Sequence, residues 1–186
     1  MFLRILTYHQ VMPNYLDFIS VFGSQSEPRD LRFSGFREQV ILSSPAKAPQ
    51  IPSMGRSGRQ YQMCYNLKGV HCKVSPSHLN IRTLVKQWSI RQAAFYHVFD
   101  VEEGTTLWIT AKGDLELKDR IEDMTGANGR PEERDYNSPY LAFRSNLAVH
   151  LLQCHWSTEE WRYYIEWLEG EVEDKVVVSL SEVDVC

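Results

Sequence analysis

At 186 residues and 21.7 kDa the chain has the length of one ordinary domain, enough to bury a core without metal or disulfide support. Its 43% hydrophobic content, with five Trp, nine Tyr and eight Phe, excludes global disorder, and a formal charge of -4 gives no electrostatic basis for nucleic-acid binding. Cys64, Cys72, Cys154 and Cys186 are too few for a disulfide-stapled fold, the N-terminus lacks a secretory pattern, and no run approaches the roughly 18 to 25 apolar residues of a membrane helix, so a reducing, cytoplasmic setting is expected.

Residues 2–22 mix apolar groups without alternation. Pro13 divides a short leading segment from a helix beginning near Asn14, whose side chain is expected to cap it while Asp17 answers from the third helical position. Leu31, Phe33, Phe36, Val40 and Leu42 suggest a strand broken at Ser34-Gly35. Pro45, Pro49 and Pro52, with Gly55 and Gly58, make 43–60 a surface loop. Tyr61, Met63 and Tyr65 then alternate with Gln62, Cys64 and Asn66 as a returning strand. A second excursion through Pro76 leads by way of 79–87 to a β-hairpin, Trp88 to Asp100 and Thr105 to Gly113, around the turn Val101-Glu102-Glu103-Gly104. Ala94, Tyr96 and Val98 on one face of its first strand, and Ala93, Phe95 and Phe99 on the other, predict burial from both sides.

Asp114 is expected to cap a helix over 115–124 that stops at the Gly126 to Pro131 run. Tyr140, Phe143, Leu147, Leu151 and Cys154 lie on one stripe of the next helix. Ser157 and Glu160 read as a capping box for a last helix, with Trp156 and Trp161 as its staple. Trp161, Tyr164, Ile165 and Leu168 make that helix's buried face, while Tyr163 and Trp167 form a second side that needs a partner, within the domain or at an interface. Val176 to Leu180 reads as β-prone. These elements predict an α/β domain, a central mixed or largely antiparallel sheet with flanking helices, over 1–170, and a tail or connection over 171–186.

The sites are less sharply written. Cys64, His71, Cys72, Cys154 and His155 own metal-binding atoms, but their spacing is unlike paired Cys-x-x-Cys knuckles, and buried thiols with ordinary histidines are the simpler reading. The same groups supply no oxyanion hole, so no enzyme is expected. Arg56, Ser57, Gly58 and Arg59 could present backbone donors and guanidinium forks to an anion or acidic partner, or make a structural turn whose arginines pair with acidic neighbours. Asp100, Glu102, Glu103, Asp119, Glu122 and Asp123 could hold Mg²⁺ if they converge, and otherwise form a solvated surface.

Longer phrases carry a family likeness. Leu6-Thr7-Tyr8-His9-Gln10-Val11-Met12-Pro13, Phe33-Ser34-Gly35-Phe36-Arg37, Gly55-Arg56-Ser57-Gly58-Arg59, Ser89-Ile90-Arg91-Gln92 and Phe95-Tyr96-His97-Val98-Phe99-Asp100 resemble successive blocks of fungal CorA-like transporter-domain proteins. Cys154-His155-Trp156 and Trp161-Arg162-Tyr163-Tyr164 extend the resemblance to about residue 168. The resemblance implies a cytoplasmic α/β domain like that of CorA, which is joined in the wider family to a long helix and two membrane helices, assembles as a pentamer and conducts divalent cations, magnesium above all. The family's Gly-Met-Asn pore phrase does not occur here. The likeness therefore implies the N-terminal soluble region of such a protein: a sensory or assembly domain without its own pore, self-associating or protein-binding, responsive to Mg²⁺ and membrane-associated through a longer parent. A stand-alone interaction module that takes an acidic or phosphorylated partner near Arg56, with the aromatic surface near Trp167, is the alternative.

Overall fold

The computed structural model describes residues 1–23, 33–43, 49–76 and 84–183, with the backbone alone at 74–76, 84–86 and 177–183. Leu31, 44–48 of the predicted loop, 79–83 and Cys186 lie outside the described residues. Two short helices open the chain, α1 (Phe2–Tyr8) and α2 (Tyr15–Ser20), before strand β1 (Phe36–Ile41). Beyond them come three longer strands and three helices: β2 (Gln60–Pro76), β3 (Leu84–Asp100), β4 (Thr106–Lys112), α3 (Leu115–Thr125), α4 (Pro139–Thr158) and α5 (Trp161–Val183). The strands form an antiparallel sheet in the order β1-β2-β3-β4, with helices flanking it, which is the α/β class expected. Phe36 pairs with Tyr65 and Ile41 with Gln60, while Ala93 pairs with Lys112 and Phe99 with Thr106.

The chain packs as two compact units, Met1–Leu67 with Gln92–Cys154, and Lys68–Arg91 with His155–Cys186. In the first unit the sheet is the middle layer. Leu6, Tyr15 and Phe18 of the N-terminal helices, with Met12 from the link between them, cover Cys64, Ala94, Tyr96 and Val98 on one face. On the other, Ala93, Phe95, His97 and Phe99 lie buried together with Ala142, Ser145, Asn146, Val149 and Gln153 of α4. In the second unit Gly69 brings β2 against Trp156, whose ring lies 3.2 Å from where a Cβ would stand. Trp88 meets Tyr164 with ring centroids 5.8 Å apart, and Tyr164 stacks on Trp167 at 5.8 Å and 24°.

Several local expectations hold and others do not. Asp114 caps α3, its Oδ1 accepting from the Leu117 amide at 2.8 Å. Asn14 precedes α2 as expected but forms no side-chain cap, because it already has helical dihedrals. Ser157 does not start the last helix. α4 runs on to Thr158, the Trp161 indole donates to Ser157 O at 2.7 Å, and Glu160 takes φ 61° between the two helices. An orphan carbonyl of the helix end is thereby satisfied by a donor from the next helix. The β-prone run Val176 to Leu180 is helical, within α5. Once a helix is running, each β-branched residue costs only a few tenths of a kcal/mol, less than the cost of nucleating new structure.

The stripe Tyr140, Phe143, Leu147, Leu151 and Cys154 does share one side of α4, but that side faces outward. Among the described side chains of α5, Trp161, Tyr164 and Trp167 are half-buried, while Ile165 and Leu168 are exposed. Trp167 thus belongs with Tyr164, and Tyr163 stands apart as the exposed aromatic.

Two glycines test this packing in opposite directions. Gly104 closes the β3–β4 turn at φ +69°, and a Cβ there would stand 2.9 Å from Pro139 Cα, so Gly104→Ala should lower stability by about 1–3 kcal/mol. Gly170 sits inside α5 with nothing within 4 Å of its would-be Cβ, so Gly170→Ala should raise stability by about 0.5–1 kcal/mol. Urea titrations of both variants against the parent read the two signs.

Candidate functional site

The loop at 49–59 and the β3–β4 turn were separate candidates in the sequence, one for anions and one for cations. Folding makes them each other's partners. Ile51 bridges to Arg56 around a 3₁₀ turn at Pro52–Met54, and Gly55 adopts φ +59°, with Thr105 donating to its carbonyl. This aims Ser57 at the end of β3, where its amide donates to Asp100 Oδ2 at 2.7 Å and its hydroxyl reaches both carboxylate oxygens at 2.9 and 3.0 Å. The amides of Glu102 and Glu103 donate to Oδ1 at 3.1 and 3.0 Å. Asp100, 1% exposed, is therefore a buried carboxylate held by four donor groups. Arg59 pairs with Glu102 at 2.6 Å, and the buried Arg56 donates to His9 O.

The remaining acidic candidates lie elsewhere. Asp119, Glu122 and Asp123 are exposed on α3, where Glu122 pairs with Lys118. Among the described residues no three His, Cys, Asp or Glu side chains gather as ligands for a metal ion. Of the residues considered for zinc, Cys64 is buried in the layer beneath α1 and α2, and burial pushes its thiol up to about 11. Cys154 is exposed on α4, on the opposite side of the sheet. His71 and Cys72 are successive strand residues and face opposite ways. His155 lies 2.6 Å from Glu159.

The more organised site lies beneath α4 and was not singled out in the sequence. His97 of β3 is fully buried, stacked on Trp108 of β4 with centroids 4.0 Å apart and planes 7° apart. His150 Nε2 is 3.0 Å from His97 Nδ1, and the Tyr65 hydroxyl is 2.6 Å from His150 Nδ1. At the far end His97 Nε2 meets Thr106 Oγ1 at 2.9 Å, and Asn146 Oδ1 receives both the Thr106 hydroxyl (2.9 Å) and the Trp108 indole N–H (2.7 Å).

This chain of bonds has a direction. An indole only donates, so Asn146 turns its oxygen to Trp108, and its nitrogen donates to Ala142 O at 2.7 Å. Thr106 then has two acceptors for one hydrogen, Asn146 Oδ1 and Val98 O at 3.2 Å, and its lone pair is left for His97. His97 is consequently protonated at Nε2 and bare at Nδ1. His150 donates to that bare nitrogen from its own Nε2 and accepts from Tyr65 at Nδ1. With both imidazoles neutral, Gln153 can meet the Tyr65 oxygen only through its amide nitrogen. Its Oε1 stands 2.5 Å from that oxygen and its Nε2 is without a partner, so this protonation state calls for the amide turned end for end. A proton added at His150 Nδ1 reverses the Tyr65 hydroxyl, which then donates to Gln153 once its amide presents Oε1, the orientation the structure shows. A second proton, on His97, would face the His150 N–H. The arrangement accommodates one proton and opposes two.

Burial, then the neighbouring His150, push His97 down to about 3, and burial pushes His150 down to about 4. Burial raises the Tyr65 phenol well above its usual range, so it remains a donor. The sequence did carry a signal for this site: Ala142, Ser145, Asn146, Val149 and Gln153 recur at helical spacing as a small and polar stripe. Against a polar sheet face, that stripe is the one that packs.

Fold and site together define an α/β body with a hydrogen-bonded polar seam between sheet and helix. Among its described residues no helix is long and apolar enough to cross a membrane. The chain belongs to the CorA-like transporters, whose family model matches residues 1–180. The comparisons with curated proteins and with solved structures give no match.

Two measurements test these bonds. Asp100→Ala removes the acceptor for three backbone amides and the Ser57 hydroxyl, and should cost about 3 kcal/mol or more in urea unfolding. The histidines make the fold acid-sensitive: their folded values lie below the ordinary value of 6.5, so the unfolded chain takes up protons first. Their contribution is fully present above about pH 6.5 and is withdrawn as pH falls toward the folded values. For His97 the loss between pH 7 and about pH 5 is on the order of 2 kcal/mol. Stability curves at the two pH values, with nitrogen-detected NMR showing the Nε2–H form of both rings at neutral pH, check it.

Proposed function

We propose that this chain is a non-catalytic sensory or assembly domain related to divalent-cation transporters, the cytoplasmic N-terminal region of a CorA-like protein of fungal type, working without a pore of its own. The observation that carries this reading is the family match over residues 1–180. In this role residues 1–170 form the coupling body and the later part of α5 its connection to membrane machinery in a longer parent. The ion for which this reading calls is Mg²⁺. The exposed face Asp119, Glu122 and Asp123 of α3 suits such an ion better than Asp100, whose oxygens are already engaged. Mg²⁺ keeps most of its waters and needs only one or two carboxylates, so a shared or loosely held ion would screen the repulsion between acidic groups.

Thermal unfolding and sedimentation across a millimolar Mg²⁺ series test the reading. An ion that binds the folded state stabilises it by about 1.4 kcal/mol at tenfold excess over Kd, and the combined change Asp119→Asn with Asp123→Asn should abolish that gain. A protein whose melting temperature and mass are both indifferent to Mg²⁺ would remove the sensory role.

A further inference from the structure

The side chain of Arg56 carries the charge that the fold leaves least compensated. It is 7% exposed, and its Nη1 donates to the carbonyl of His9, the residue that ends α1. A helix-end carbonyl needs one donor, whereas a guanidinium carries five in a rigid fork. That bond is the side chain's one hydrogen bond among the described residues, and no carboxylate among them stands within ion-pair distance of it. A buried cation ordinarily has an ion partner or a full set of acceptors, because its desolvation costs more than a single bond returns.

The same side chain borders a cavity of about 290 Å³ between the end of α1, the turn at Pro52–Met54 and the ends of β3 and β4. Exposed Tyr8 and half-buried Met54 form its outer part, while buried Val98 and Asp100, with Leu107, form the wall behind. The volume sits at the lower edge of the roughly 300 to 1,000 Å³ of ligand pockets, which suits a small molecule. Asp100 decides the charge of that molecule. Its oxygens are already held by Ser57 and the turn amides, so it does not engage Arg56, yet it repels a second negative charge in the cavity it lines. One guanidinium beside one carboxylate favours a monoanion over a phosphate dianion, and the planar fork matches a carboxylate with two parallel bonds. Met54, Val98 and Leu107 add an apolar wall for the body of the acid.

We infer that this cavity is a binding site for a small apolar monocarboxylate, whose carboxylate pairs with the edge of the Arg56 guanidinium that His9 leaves open while its hydrocarbon part lies against Met54, Val98 and Leu107. Bound there, the acid ties the end of α1 to the 49–59 loop and to the turn end of the β3–β4 hairpin, three parts of one compact unit. The site goes beyond the sensory or assembly role and requires neither Mg²⁺ nor a second copy of the chain.

Titration of the isotope-labelled full chain with sodium butyrate at constant ionic strength, followed by NMR, should move the Arg56 Nε–H and the amides of His9 and Thr105 along one saturable curve. Inorganic phosphate should bind at least about tenfold more weakly, and sodium chloride should give no saturation. Arg56→Lys keeps the charge and a donor for His9 O but loses the fork, and should weaken butyrate by about tenfold or more with unchanged circular dichroism. Met54→Trp fills the cavity from its rim and leaves Arg56 intact, so it should abolish the saturable shift, and it decides the matter if the lysine variant fails to fold. An arginine that is only a strut gives no saturable shift in the millimolar range, and that result overturns the inference. Butyrate binding undiminished by Met54→Trp overturns it by placing the acid elsewhere, and phosphate binding as tight as butyrate overturns it by showing a response to charge alone.

Discussion

From Gln92 to Asp100, nine consecutive residues of β3 are buried. A strand covered on both faces cannot leave a polar group to solvent, so each polar side chain it carries must be met from within the protein. Gln92 reaches Phe33 O at 3.4 Å, His97 enters the seam under α4, and Asp100 draws in Ser57 and the turn amides. The irregular loop at 49–59, the polar face of α4 and the tight turn at Gly104 are all arranged around those demands.

The same constraint explains an inversion in β2. Gln62, Cys64 and Asn66 are its more buried residues, while Tyr61, Met63 and Tyr65 are half-exposed on the other face. Burial of the amides is tolerated because they are engaged: Gln62 accepts from Tyr96, while Asn66 accepts from the Gly35 amide and donates to Phe33 O. The two faces of the sheet thus differ in kind. One is a mainly apolar core under α1 and α2, and the other carries a directed chain of hydrogen bonds under α4. Low local dielectric strengthens such a chain when every member is satisfied and makes any unmatched proton expensive.

That chain gives the fold a dependence on proton concentration, and the outer side of α4 gives it an apolar surface. Both are properties of one helix. Its inner stripe is small and polar because it answers His97, Thr106, Trp108 and Tyr65, and its apolar residues are displaced outward as a consequence.

The sequence by itself determined what local physics decides. Two-sided apolar alternation marked β3, the turn at Val101 to Gly104 closed the hairpin, Asp114 capped α3, and the ordered phrases from Leu6 to Tyr164 pointed to the family. Helical spacing located α4 but could not say which of its two stripes faces inward, because that depends on what the sheet beneath presents. Nor could composition show that the Arg56 to Arg59 loop and the Asp100 to Glu103 turn engage each other, since they are some 43 residues apart in the chain. The linked histidines, His97 and His150, lie 53 residues apart. Contacts of this range arise only when layers pack, and whether a charged or polar group is a site or a strut is set by the partner that the packing supplies.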